Sequence, residues 1–169
     1  ALFSLTMILI TLKNNYKGSI KLQLAAEYLL DSGFTMQMKQ GLKCIEDKKV
    51  LVESSYLSKS ANFDETLYEI TNDGFTPIIA HPERYLFMDV NKYHKLKNCD
   101  YLFQLNLLSL SGMYGSKVKR RALYLLESGM YDLIGSDMHS LNLFREHIQE
   151  IRLSKSQHHS LMAIIPSTK

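Results

Sequence analysis

Several short apolar runs of this sequence lead directly into side chains that can bind metal ions. These side chains are carboxylates and imidazoles: Glu27, Glu53, His81, Asp137 and His139. The carboxyl ends of parallel strands open on one face of an α/β fold, so we expect these five residues to lie together. A carboxylate that ends a buried run carries a desolvation cost unless it is paired or bound to a cation. A mixed set of carboxylates and imidazoles suits Mn²⁺, Fe or Zn²⁺ better than Ca²⁺.

Each of these residues also has an ordinary structural interpretation. Asp137 and His139 can project to one side of a strand end, but a capping Asp beside an incidental His fits the sequence equally well. His81 by itself fits a hydrogen-bonded core histidine, and Glu27 or Glu53 by itself fits a surface or capping acid. The metal hypothesis therefore depends on the convergence of all five residues.

Two arginines are candidates for phosphate binding. Arg84 lies three residues past His81, where a guanidinium can hold a phosphate through two parallel hydrogen bonds. A surface salt bridge with Glu83 or Asp89 is the alternative role for Arg84. Arg145 is the second candidate, on a later helix where its side chain could instead face solvent.

The elements that would position these side chains alternate between helix and strand. We expect strands at 20–27, 49–54, 76–80, 100–105 and 131–136. We expect helices at 2–12, 62–74, 89–98, 116–129 and 141–153. Asn62 with Glu65 resembles a capping box, and Ser116 can cap the helix that follows it. The alternation predicts an α/β fold with a parallel sheet, whose natural form is a closed or partly closed barrel.

Length and composition fit one globular domain. The 169 residues are 46% hydrophobic, and their formal charge of +3 is too small to predict a nucleic-acid or anionic-membrane partner. Cys44 and Cys99 stand far apart in the sequence, which indicates reduced cysteines in a cytoplasmic protein rather than a disulfide or a zinc knuckle. We predict a single domain over residues 1–169, with 155–169 as a loosely ordered tail.

The apolar segment 2–12 is well short of the roughly 20 residues that a membrane span needs. It also lacks the basic leader of a signal peptide, so we interpret it as a buried helix that is not inserted in a membrane. Because the sequence starts with Ala1 and enters this apolar segment at once, we expect the chain to be a fragment of a longer domain.

A set of short motifs together resembles one bacterial enzyme family. The motifs are Ala25-Ala26-Glu27-Tyr28, Leu51-Val52-Glu53, Pro77-Ile78-Ile79-Ala80-His81-Pro82-Glu83-Arg84-Tyr85, Gln104-Leu105-Asn106, Ser109-Leu110-Ser111-Gly112-Met113-Tyr114-Gly115 and Gly135-Ser136-Asp137-Met138-His139. They are similar to motifs of the tyrosine-protein phosphatases in the polymerase-and-histidinol-phosphatase (PHP) superfamily, of the CpsB and YwqE type. The resemblance runs from about residue 20 to about residue 150.

The resemblance implies a distorted (β/α)7 barrel with a multinuclear metal cluster, usually of manganese or iron, at the carboxyl ends of the strands. It implies metal coordination by Glu27, Glu53, His81, Asp137 and His139. It also implies phosphate binding by Arg84, and it puts Arg145 close to a second phosphate-binding arginine of the family. The family opens with a His-x-His strand that this sequence lacks, so we expect the first βα units, and about half of the metal site, to be missing.

By the same resemblance, the activity would be metal-dependent hydrolysis of phosphotyrosine on a bacterial tyrosine kinase that regulates capsule or exopolysaccharide synthesis. A phenolate leaving group, with a pKa near 10, needs little protonation, which suits a site with metals and arginine but no cysteine nucleophile. Two alternatives stay open. One is a PHP phosphoesterase for a small phosphate ester, similar to histidinol phosphatase, and the other is an inactive truncated homologue that only binds a partner.

Overall fold

The computed structural model describes residues 2–46, 48–57, 60 and 62–165, with side chains described from residue 9 onward. Its centre is a sheet of five parallel strands: β1 (Glu27–Leu29), β2 (Lys49–Glu53), β3 (Thr76–Ala80), β4 (Leu102–Asn106) and β5 (Leu133–Gly135). The strands lie side by side in the order of the sequence. This arrangement confirms the predicted α/β class with a parallel sheet.

Helices connect the strands, because parallel neighbours cannot be joined by a tight turn. The helices are α1 (Leu2–Asn15), α2 (Phe34–Gln40), α3 (Phe63–Asn72), α4 (Val90–Lys97), α5 (Ser116–Glu127), α6 (Leu141–Ile148) and α7 (Lys155–Ile164). Two short 3-10 turns, Pro82–Arg84 and Leu107–Leu110, directly follow β3 and β4. The chain therefore turns sharply at the carboxyl edge of the sheet, where the predicted site residues lie.

The main core lies between one face of the sheet and the helices. Val52, Ile79 and Phe103 from neighbouring strands are fully buried, and they pack in one cluster with Leu67 and Ile70 of α3. Burial of each such side chain contributes about 1.5–3 kcal/mol. Burial of these side chains thus fixes which face of each strand is turned toward the helices.

The alternate strand residues form the opposite face of the sheet. The strand register puts Leu51, Ile78 and Leu102 side by side on this face, because successive side chains of a strand point to opposite faces. Glu53 lies two residues beyond Leu51 and therefore turns to the same side. His81 follows the last residue of β3 at the same edge.

The predicted strand at 20–27 is wrong except for its last residue. Residues 20–26 lie outside the sheet, and Glu27 begins β1 instead of ending a strand. The segment is tied to the loop before β2, because Ala26 donates its backbone N–H to Lys43 and the side chain of Gln23 bonds the backbone of Cys44 and Glu46. Ile20, the first apolar residue of the alternating pattern, is 70% exposed.

Residues 155–164, expected to belong to a loosely ordered tail, form α7. Ser154 and Gln157 complete a capping box at its start, with both reciprocal hydrogen bonds present. Leu161 and Ile164 pack against the core, and Gln157 donates a 2.7 Å hydrogen bond to Glu127 at the end of α5. Residues 166–169 lie outside the described part of the chain.

Two predicted helix caps do not form. Asn62 precedes α3, but its φ of −105° and ψ of 18° are not the extended geometry of a capping residue, and its side chain makes no capping hydrogen bond. Ser116 is the first residue of α5 and follows Gly115, so it does not cap the helix.

The helix predicted at 2–12 is present as α1, but its described side chains do not support a buried position. Ile10 and Leu12 are exposed. Among the described residues, no helix is long and apolar enough to cross a membrane.

Candidate metal centre

Three of the predicted metal ligands form one cluster at the carboxyl edge of the sheet. Nε2 of His81 lies 3.4 Å from Oε1 of Glu27 and 3.7 Å from Oε2 of Glu53. The candidate ligand atoms of all three residues lie within 4.8 Å of one another. Glu27 reaches the cluster from the start of β1, because its pairing with Leu51 turns it to the face that carries Glu53. Two carboxylates and an imidazole at this spacing can hold a divalent cation.

Among the three residues, His81 has the surroundings that best fit a metal ligand. Its side chain is only 2% exposed, yet neither ring nitrogen has a hydrogen-bond partner among the described residues. A buried polar group left unpaired costs about 1–3 kcal/mol. The two nearby carboxylates are too far away for good hydrogen bonds, but a cation between the three groups would satisfy all of them. The residues present therefore fit a metal ion.

The backbone of His81 is also in an unusual conformation. Its φ of 34° and ψ of 54° are left-handed, a region that residues other than glycine rarely adopt. Pro82 begins a 3-10 turn immediately afterwards, so the chain reverses at the histidine. This conformation costs of order 1 kcal/mol, and Asp137 is the second non-glycine residue of the described site with a positive φ.

The acidic side chains of the cluster influence one another. The pKa of the Glu53 carboxyl is raised, first by its partial burial and then by the negative charge of Glu27, with a smaller contribution from Asp137. His81 and Arg84 act in the opposite direction. A carboxyl group whose pKa is raised by burial and by a neighbouring carboxylate is a candidate functional group.

Asp137 lies beside this cluster and links it to Arg84. Oδ2 of Asp137 accepts hydrogen bonds from Nη1 of Arg84 at 2.7 Å and from Nδ2 of Asn106 at 3.1 Å. Its other oxygen, Oδ1, lies 3.0 Å from Nε2 of His139, whose side chain is 89% exposed. Asp137 also has a positive φ of 46°. The structure thus brings Asp137 to the edge of the cluster, while His139 extends from it into solvent.

The contacts of Arg84 differ from the alternative that the sequence left open. Its ion-pair partner is Asp137, 53 positions along the chain, and neither Glu83 nor Asp89. Its guanidinium carbon lies 4.1 Å from the ring centroid of Tyr56 and 4.1 Å from that of Tyr114. The guanidinium of Arg84 is therefore held at the rim of the cluster by the carboxylate of Asp137 and by two aromatic rings.

Sequence reasoning missed two buried residues that support the site. Glu83 is fully buried; Oε1 accepts the backbone N–H of Asn106 and Oε2 accepts the hydroxyl of Tyr131. Burial raises the pKa of this carboxyl. Asn106 in turn donates its side-chain amide to Asp137. Both residues stand in the motifs that carry the family resemblance, but nothing in the sequence indicates these buried hydrogen bonds.

Arg145 is not joined to the cluster. It lies on α6, is exposed, and forms no hydrogen bond or ion pair with the described residues. Its proposed role in phosphate binding therefore stays a prediction.

The fold and the cluster together define an α/β protein with a candidate metal centre at the carboxyl edge of a parallel sheet. The family described as "Capsular polysaccharide synthesis, CpsB/CapC" matches residues 4–160. This match covers most of the chain, and the chain therefore belongs to the CpsB/CapC family.

Curated relatives carry names of one kind. The chain is 28% identical over 115 residues to the tyrosine-protein phosphatase YwqE of Bacillus subtilis, covering 66% of this chain and 45% of that protein. It is 28% identical over 130 residues to the tyrosine-protein phosphatase CpsB of Streptococcus pneumoniae, covering 73% and 54%. It is 32% identical over 80 residues to the putative tyrosine-protein phosphatase CapC of Staphylococcus aureus, covering 46% and 31%. The chain thus spans about half the length, or less, of these relatives.

A solved structure has a similar fold. It comes from a study of YwqE from Bacillus subtilis and CpsB from Streptococcus pneumoniae, described as unique metal-dependent tyrosine phosphatases. The TM-score is 0.69 at 20% sequence identity, and the match covers 94% of this chain and 67% of the other. At this identity the similarity establishes the shared fold.

Proposed function

We propose that the chain carries part of the active site of a metal-dependent protein-tyrosine phosphatase. The protein would act in the cytoplasm, and its substrate would be phosphotyrosine on a bacterial tyrosine kinase that regulates capsule or exopolysaccharide synthesis. The observation that carries the proposal is the buried His81 imidazole, without hydrogen bonds and within reach of Glu27 and Glu53. The names of the matched relatives support the reaction and the biological process.

The metal would be manganese, or iron or zinc, in a multinuclear cluster. Glu27, Glu53 and His81 would hold one ion, and Asp137 with His139 would contribute at its edge. The mixture of carboxylate and imidazole ligands supports these metals over calcium. When bound, such a metal supplies Lewis-acid chemistry, polarising the phosphoryl oxygens and lowering the pKa of a water molecule.

The residues of the chain have separate tasks in this proposal. Arg84 would bind the phosphoryl oxygens through the guanidinium edge that Asp137 leaves free, offsetting charge that develops in the transition state. Arg145 is proposed as a second phosphate ligand, which requires α6 to face the substrate. The leaving phenolate needs little protonation at neutral pH, because its pKa is near 10.

A cysteine-based mechanism has little support. A nucleophilic cysteine requires a thiolate, usually stabilised by a nearby cation or a helix N-terminus. Burial instead raises the pKa of the Cys44 thiol, and Cys99 lies in the turn after α4 at the amino end of the sheet. The metal-dependent route therefore fits the side chains of the chain better.

The same proposal extends to the fold. We propose that the five strands belong to a distorted (β/α)7 barrel of the PHP type. The strand order supports this, since consecutive parallel strands without a reversal curve in one direction, whereas a doubly wound sheet changes direction at its middle. That residues 1–169 form a single domain is part of this proposal.

The test is hydrolysis of a phosphotyrosine peptide by the chain in the presence of Mn²⁺. We expect turnover to require the metal, to stop with EDTA, and to be lost in Asp137→Ala. Isothermal titration should show Mn²⁺ binding weakened at least about tenfold in Glu53→Gln, because a ligand is removed. Glu65→Gln, on an exposed position of α3, is the matched control.

Other outcomes would point to the other roles. Faster turnover of a small alkyl phosphate than of the peptide would favour a phosphoesterase of small metabolites. Mn²⁺ binding without any turnover would favour a role in binding only. Equal Mn²⁺ affinity in Glu53→Gln and the unchanged chain would contradict the proposed metal site itself.

A further inference from the structure

The guanidinium of Arg84 is enclosed between two aromatic rings. Its central carbon lies 4.1 Å from the centroid of the Tyr56 ring and 4.1 Å from the centroid of the Tyr114 ring. A guanidinium has two faces, and a cation is attracted to the face of an aromatic ring. Two rings at this distance leave the cation little freedom to turn. We call Tyr56 and Tyr114 the tyrosine clamp.

Each ring of the tyrosine clamp is itself held in place. Tyr56 stacks on the buried ring of Tyr85 at 6.1 Å with an interplanar angle of 24°, and its hydroxyl lies 3.5 Å from Oε2 of Glu53. The hydroxyl of Tyr114 accepts a 3.2 Å hydrogen bond from Nδ2 of Asn106. The two rings are therefore anchored to different elements, one after β2 and one after β4.

The edges of the guanidinium are not equivalent. Nη1 of Arg84 donates to Oδ2 of Asp137 at 2.7 Å, and the guanidinium has no other acceptor among the described residues. The remaining N–H groups lie in the same plane, because the guanidinium is flat. With two rings against it and Nη1 paired to Asp137, the group has its remaining N–H groups available for an anion.

The tyrosine clamp is also joined to the candidate metal ligands. The ring of Tyr56 lies 5.6 Å from that of His81, and Tyr85, on which it stacks, lies 5.7 Å from His81. Tyr56 therefore contacts both the cation of Arg84 and the cluster. The spacing between these two parts of the site depends on this ring.

We propose that Tyr56 and Tyr114 are positioning residues that fix the plane of Arg84 for the phosphoryl group of the substrate. This inference rests on the proposed function. An arginine side chain has many rotamers, and ordering it during binding reduces affinity. A clamp formed in the free protein removes that cost before the substrate arrives. Lysine, with a compact charge and no flat faces, could not be held in this way.

The first test needs neither metal nor substrate. Nitrogen-15 relaxation of the Arg84 side-chain Nε group should give an order parameter near the rigid value of about 0.85 in the unchanged chain. Tyr114→Leu and Tyr56→Leu each remove a ring face, so we expect the order parameter to fall below about 0.6. Tyr114→Phe keeps the face and should stay rigid. Tyr68→Leu, on an exposed position of α3, is the control for a general effect of the substitution.

The second test measures affinity for the anion. Binding of inorganic phosphate to the Mn²⁺-loaded chain should weaken about five- to tenfold in either Leu variant, and the KM for a phosphotyrosine peptide should rise by a similar factor. Tyr114→Phe should restore most of the affinity. If Tyr114 had only a structural role, its substitutions would lower stability without this difference in phosphate affinity between the Leu and Phe variants.

The outcomes separate the inference from the proposed function. A rigid Arg84 in both Leu variants would overturn the clamp, whatever the activity. Loss of order in the Leu variants, together with unchanged phosphate affinity, would overturn the positioning role. An inactive chain in which the Leu variants still lose order and phosphate affinity would support the clamp and contradict the phosphatase reaction. Because Tyr56 and Tyr114 lie on different elements, the test can still be made if one of the two Leu variants fails to fold.

Discussion

At the scale of single residues, the site combines backbone strain with buried polar atoms that have no hydrogen-bond partner among the described residues. His81 and Asp137 both have positive φ values, 34° and 46°, although neither is glycine. The sequence predicts both as metal ligands, because each follows an apolar run. It could not reveal their conformations, which depend on the turns that follow β3 and β5. Nor could it reveal the rings around Arg84, since Tyr56 and Tyr114 come from distant segments.

Glu83 provides a prediction at this scale. Glu83→Leu leaves the backbone N–H of Asn106 and the hydroxyl of Tyr131 without an acceptor, so the free energy of unfolding should fall by about 2–5 kcal/mol. Urea denaturation followed by circular dichroism measures the change. Glu83→Gln keeps a side-chain oxygen in place and should cost less than about 1.5 kcal/mol. Equal losses in the two variants would show that the hydrogen bonds do not matter.

At the scale of elements, the accuracy of each predicted helix or strand depended on what had produced its sequence pattern. β3 was predicted with the observed limits, because a continuous apolar run followed by His81 and Pro82 has few other interpretations. The strand at 20–27 was wrong except at Glu27, because alternation of apolar and polar residues does not by itself show that a segment pairs in a sheet. Residues 155–164 looked polar, yet they form α7, since two apolar residues on one side suffice to dock the helix.

The start of α7 provides a prediction at this scale. Ser154→Ala removes the hydroxyl that accepts the backbone N–H of Gln157, so the helix should lose about 1 kcal/mol. Amide hydrogen exchange within α7 should quicken about fivefold, while exchange in β3 changes less. Ser156→Ala, an exposed position in the first turn of the same helix, is the matched control and should leave exchange unchanged. Equal effects of the two variants would rule out the capping box as the cause.

At the scale of the whole molecule, the helix and strand alternation was enough to predict a parallel α/β sheet. The burial of aromatic side chains was harder to foresee. Tyr93, on α4, is almost fully buried and packs edge-on against Phe103 of β4 at 6.2 Å. Tyr131 is also buried, and its hydroxyl donates a hydrogen bond to the carboxylate of Glu83. Amphipathic spacing assigned neither residue to the core, because tyrosine occurs both in cores and on surfaces.

These buried phenols predict how stability depends on pH. Burial raises the pKa of Tyr93 to about 12, whereas an unfolded tyrosine has a pKa near 10. Above roughly pH 10 the unfolded chain releases this proton and the folded chain does not, so Tyr93 alone lowers the free energy of unfolding by up to about 1.4 kcal/mol per pH unit until about pH 12. Urea denaturation at pH 8 to 12 measures this fall.

Two variants test the assignment of this pH dependence. Tyr93→Phe should make the decline between pH 10 and 12 shallower, because it removes one proton that the folded state retains, while Tyr85 and Tyr131, whose pKa values burial also raises, still contribute. Tyr68→Phe, at an exposed position, should follow the unchanged chain. An identical decline in all three proteins would assign the alkaline loss to other groups.

The cluster of Glu27, Glu53 and His81 draws one side chain from each of three adjacent strands or strand ends. A slip of one residue in β2 would replace Glu53 at the cluster by an apolar or hydroxyl side chain, since neighbouring positions face opposite ways. The proposed ion site would then lose one of its ligands even if the sheet stayed intact. Under the proposed function, titration with Mn²⁺ would therefore report whether the strands have aligned correctly during refolding.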